Sequence, residues 1–123
     1  MGERMIGVRV SITRYITDEP VPGVVESEFC DAHGRQWRFV EKTAYVTADV
    51  LDRQSAYPRP GAIACEVIGR SRDVTGRELI VVNTERPWGV ESVEGLMRFE
   101  VTPESLIEWD GDSSVERAWD GRA

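Results

Sequence analysis

A chain of 123 residues with a formal net charge of −7 fits one domain and buries about two-thirds of its unfolded surface on folding. A core can therefore form without disulfide or metal staples. Apolar residues are 41% of the chain and charged residues 30%, the balance of a soluble globular protein, and the longest aliphatic run, Leu79–Val82, is far too short to span a membrane. The net acidity excludes the broad basic footprint of a nucleic-acid binder, and much of it sits at the end, where the last twenty residues hold six acids against two arginines.

In chain order, the first seven residues carry no apolar leader segment, which predicts a cytoplasmic protein. Ile6, Val8, Val10 and Ile12 then alternate with Gly7, Arg9, Ser11 and Thr13, the period of a strand with one buried face. Two prolines and a glycine break the run over residues 17–23. Residues 24–31 and 35–42 flank Ala32-His33-Gly34 and predict a hairpin, with Phe29, Trp37 and Phe39 as its large side chains. Residues 43–47 prolong the second strand or begin another. Ala48–Asp52, with Thr47 as a cap, is the one stretch that predicts a helical turn. A proline-stiffened connector, residues 55–61, leads to a second hairpin, residues 62–69 and 77–84, around the polar loop 70–76. Turns at 85–89 and 94–95 precede a strand over 96–101. Thr102-Pro103 opens a single helical turn, and 106–109 form a last short strand. The charged stretch 110–123 has few apolar residues and predicts a flexible acidic tail outside a 1–109 domain.

Short strands at this spacing predict an all-β fold, a small, partly open antiparallel β-barrel of about seven strands with one or two single-turn helices. Residues 99–107, Phe-Glu-Val-Thr-Pro-Glu-Ser-Leu-Ile, resemble the strand, single 3₁₀ turn and final strand that close SH3-like barrels. The resemblance covers about ten residues and implies a barrel with such an ending; it transfers no peptide-binding residues. Taken whole, the chain resembles short stand-alone bacterial proteins.

The chemistry of the side chains is sparse. Nucleophilic catalysis needs a base held beside the nucleophile, and the single histidine, His33, sits at a predicted hairpin tip. Cys30-x-x-His33 with Cys65 supplies only part of a four-ligand zinc set, so the two cysteines read as reduced core thiols. No catalytic, metal or cofactor site is predicted. Glu26 and Glu28 share a strand face, and Glu41 joins them if the hairpin register allows, which would make a carboxylate pocket in a ligand-binding or enzymatic barrel. Arg35, Trp37 and Arg38, with Arg70, Arg72 and Arg77 nearby, interleave cations and an aromatic as single-strand-binding barrels do, but the negative charge opposes phosphate.

Protein recognition fits the remaining residues best. Tyr57, Arg59, Arg86 and Trp88 lie in proline-held loops, and aromatics and arginine dominate interface energetics. Asp110 and Asp112 add charge suited to a basic partner. The sequence thus predicts a non-catalytic binding protein, in concrete form an immunity- or antitoxin-like protein masking a basic partner, with edge strands that could also pair two copies of the chain.

Overall fold

The structure, a computed structural model, describes residues 4–110. Their alternating apolar runs become seven strands: β1 (Arg4–Thr17), β2 (Val24–Cys30), β3 (Gln36–Lys42), β4 (Arg59–Arg72), β5 (Glu78–Asn83), β6 (Arg98–Val101) and β7 (Leu106–Asp110). All neighbours are antiparallel, in the order β3-β2-β1-β4-β5-β6, with β7 also on β1. The sheet curls into a half-barrel, so the fold is all-β and partly open.

Two long strands produce the curl. β1 pairs with β4 along Ile6–Ile12 and divides its other edge between β7 (Arg4–Val8) and β2 (Ser11–Thr17), with register shifts after Ile12 and Tyr15. Such irregularities bend and twist a strand. β4 faces β1 up to Cys65 and then pairs with β5 from Glu66 onward. At Cys65–Glu66 it therefore passes from one half of the sheet to the other.

The hydrophobic parity of the strands places the core inside the curl. Val8, Val10, Ile12, Val25, Phe39, Ile63, Ile80, Val82 and Val101 are all nearly inaccessible. Phe99 of β6 meets Phe29, Trp37 and Phe39 of the first hairpin, with ring centroids 5.1–5.8 Å apart and mostly edge-to-face. Two backbone hydrogen bonds tie the outer strands across the opening: Ala32 N–H donates to Glu100 O at 2.8 Å and Val93 N–H to Arg38 O at 2.9 Å. Gly34 holds φ +83° at the hairpin tip, a conformation that favours glycine over any residue with a Cβ.

Some details differ from the sequence expectation. Ala48–Asp52 is not helical, and the 3₁₀ turns lie at Thr43–Tyr45 and Pro103–Ser105. The Thr47 hydroxyl accepts the Asp49 N–H at 3.0 Å, closing a side-chain turn that competes with helix, while Leu51 anchors the loop in the core. β4 starts at Arg59, so it absorbs the end of the proline connector. Cys30 is exposed rather than a core thiol, because alternation places it opposite the buried Phe29.

Candidate functional site

The turn after β5 is held from beneath. Thr84 is fully buried; its hydroxyl donates to Val90 O at 2.5 Å, and its backbone N–H donates to Met97 O at 2.8 Å. Val90 N–H returns to Thr84 O at 3.1 Å, and Gly89, at φ +68°, donates to Glu85 O. With Val90 and Ser92 buried, the residues between them and β5 are presented outward on a fixed frame. Trp88, 39% exposed, stacks on Tyr45 with ring centroids 5.8 Å apart and planes 22° from parallel. Tyr45 itself packs against the core from the first 3₁₀ turn.

Beside this turn, against Arg86 and Pro87, a cleft of about 340 Å³ opens. It lies where β4 changes partners: Ile6 and Cys65 form the last rung of the β1–β4 ladder, and Glu66 opens the β4–β5 ladder. Met5 and Val67 continue its walls, and Arg86 and Pro87 of the turn complete it. Cys65 is buried there, and burial pushes its thiol up to about 12, so it stays protonated and is no nucleophile at neutral pH. A disulfide reagent such as Ellman's should therefore titrate one thiol, Cys30, in the native protein and two after unfolding. Rapid native reaction of both would contradict this burial.

The residues expected to bind a partner divide between two environments. Arg86 and Trp88 share the exposed turn. Tyr57 is half-buried against the core and donates its hydroxyl to Asp52 O at 2.7 Å, while Arg59 pairs with Asp49 at 2.7 Å. These two brace the 49–59 connector. Asp110 ends β7, its backbone paired with Arg4; Asp112 and the rest of the acidic stretch lie outside the described residues. Tyr45, the support of Trp88, gives no signal in the sequence, because the contact joins segments over forty residues apart.

The three carboxylates do not converge. Glu26 and Glu28 pair with Val40 and Arg38 on the outer face, but Glu41 pairs with Val25 and so lies on the opposite, core-facing side. A hydrogen bond from the Thr13 hydroxyl, helped by Arg14 and Arg38, holds the Glu26 carboxyl below its usual range against the effect of burial. Burial first, and Glu91 second, push Glu41 upward. A raised folded-state value means that the charged form costs stability, a cost that shrinks as pH falls below the raised value and is gone below the ordinary carboxylate range. Glu41→Gln should thus stabilise the protein near neutral pH by up to about 1 kcal/mol, the scale of a like-charge neighbour pair. The gain should vanish in acid, as read from urea curves across pH; an equal gain at every pH would point to another cause.

Trp37 is buried, 6% exposed, with its indole N–H donated to Asp31 at 2.8 Å and the Arg35 guanidinium 4.0 Å from its ring centroid. It has no free face for a base, which removes the platform expected for single strands. Desolvation pushes Asp31 upward, but bonds from Trp37, Arg35 and His33 outweigh it and leave the carboxyl below its usual range. The His33 ring meets Glu100 across the opening at 2.5 Å, Cys30 points outward and Cys65 lies in the core. Cys30, His33 and Cys65 therefore do not assemble, and among the described residues no group of three or more His, Cys, Asp or Glu could hold a metal ion. No described helix is long and apolar enough to cross a membrane. No protein-family model, curated protein or solved structure matches this chain.

Proposed function

We propose that this protein is a non-catalytic binding module that occupies the surface of a partner protein through its Arg86–Trp88 turn. The observation that carries the reading is the pre-formed frame: Thr84 and Val90 fix the turn from below while Trp88 stands on Tyr45 with 39% of its surface exposed. An aromatic already held in place loses little conformational entropy on binding, and tryptophan and arginine are the residues that most often dominate interfaces. Arg86, two residues away, has no hydrogen bond, ion pair or ring contact with another described residue. The acidic balance of the chain favours a basic partner, and a toxin masked by an immunity-type protein is the concrete form of this reading. The return of β7 to β1 after one 3₁₀ turn supports relating the barrel to SH3-like folds.

The test is affinity capture of the tagged full chain from lysate of its source cells, with and without nuclease, followed by titration of the recovered partner. One stoichiometric protein should survive nuclease, and Trp88→Ala should weaken its binding at least ten-fold, the loss expected of a central aromatic. Reversing Asp110 and Asp112 should slow association. Nucleic acid as the only captured species, or Trp88→Ala with unchanged affinity, would overturn the reading.

A further inference from the structure

We infer that the cleft between β1, β4 and the Arg86–Pro87 turn is a binding site for a small apolar carboxylate, with the body on Met5, Ile6, Val67 and Pro87 and the carboxylate on Arg86. This goes beyond the partner-binding role of the turn, since it assigns a small molecule to the concave side of the same loop.

The cleft is a product of the backbone. β4 leaves β1 at the Ile6–Cys65 rung and joins β5 at Glu66, with a register shift between Val67 and Gly69. Strands that part in this way leave a wedge between them. The Glu85–Gly89 turn, held by the buried Thr84, stands over the wedge and brings Arg86 and Pro87 to its edge. The space, about 340 Å³, lies within the range of small-ligand sites.

The lining decides the class of ligand. Apolar walls recover the hydrophobic free energy of an aliphatic or aromatic body. A single guanidinium without a partner among the described residues supplies a bidentate site for one carboxylate. Glu66 also reaches the cleft and is not paired with Arg86. Its charge opposes an anion, so the two rim residues should act with opposite sign. Non-specific hydrophobic adsorption would show no such signature.

The probe is octanoate, added to the full chain and followed through the Met5 methyl signal by ¹H–¹³C NMR, with Met5→Leu for assignment. Octanoate should shift that signal saturably, with a dissociation constant of about 1 mM, the strength of one ion pair plus a short apolar body. Octanamide, which keeps the body and loses the charge, and acetate, which keeps the charge and loses the body, should each bind at least ten-fold more weakly. Arg86→Gln should weaken octanoate at least ten-fold, and Glu66→Gln should tighten it about three-fold. Both residues are exposed, so neither variant should disturb folding, and an unchanged methyl spectrum without ligand verifies this. Equal binding of octanoate and octanamide, indifference to Arg86→Gln, or no Met5 shift at about ten times the expected dissociation constant would each overturn the assignment. A peptide ending in leucine that binds far more tightly than octanoate, with the same Arg86 dependence, would make the occupant a chain terminus and also overturn it.

Discussion

Phe99→Ala should lower the unfolding free energy by about 4 kcal/mol, the cost of removing a buried aromatic ring from a site that cannot collapse. β6 has only four residues, and among the described residues its one ladder is with β5. Its hold on the other side of the half-barrel is the ring of Phe99 on Phe29, Trp37 and Phe39, together with the Ala32–Glu100 backbone bond and the His33–Glu100 side-chain contact. Truncation would empty the centre of that aromatic cluster. The three rings belong to β-strands fixed by the β2–β3 ladder, so the cavity would persist. Urea denaturation gives the value directly, and the slope with denaturant should stay near that of the wild type if only native packing is lost. A loss below about 2 kcal/mol, under the range seen for such truncations, would mean that β6 closes the barrel through its backbone and not through this ring.

The same ring cluster shows what can be read without a structure. Trp37 and Phe39 share a parity, and alternation alone assigns them to one face; their burial follows once Arg38 between them needs water. Hairpin tips, the Thr102-Pro103 turn and the closing strand are likewise local, written in glycine, proline and the period of two. Register is different. Glu41 joins Glu26 and Glu28 only if the register allows it, and the ladder instead pairs it with Val25 and sends it to the other side, a consequence of the exact loop length between Asp31 and Arg35. The stack of Tyr45 on Trp88 and the wedge at Cys65–Glu66 depend on how β4 divides its pairing between β1 and β5, and no short window of sequence records that division. Thr47 illustrates a third kind of limit: a threonine before Ala48-Asp49 is as good a side-chain turn as a helix cap, and the burial of Leu51 favours the turn.

Gly61→Ala should destabilise the protein by about 3 kcal/mol, the upper part of the range for overpacking, although the change adds one methyl group to an extended strand. The reason is space and not backbone freedom. A Cβ at position 61 would stand 2.5 Å from Val46 O and 2.9 Å from Ile12 Cδ1. The isoleucine is a side chain and has some freedom to turn; the carbonyl does not. Val46 is itself in the core, 1% exposed, and its oxygen accepts the Ala62 N–H at 3.0 Å. Moving it away costs that hydrogen bond and lifts the segment after the first 3₁₀ turn from the barrel. A double-mutant cycle separates the two contacts. Ile12→Val removes Cδ1, the nearer of the two Ile12 atoms, leaving Cγ1 at 3.1 Å, and by itself costs about 1 kcal/mol. If the carbonyl is the obstacle, Gly61→Ala should remain nearly as costly in the Ile12→Val background, with a coupling under about 0.5 kcal/mol, as for independent sites. Recovery of most of the loss in the double variant would shift the conflict to Ile12 and show that the Val46 segment can yield. The expected result makes Gly61 the position where β4 must be bare, because the chain that leaves β3 has to cross it before the connector returns to begin β4.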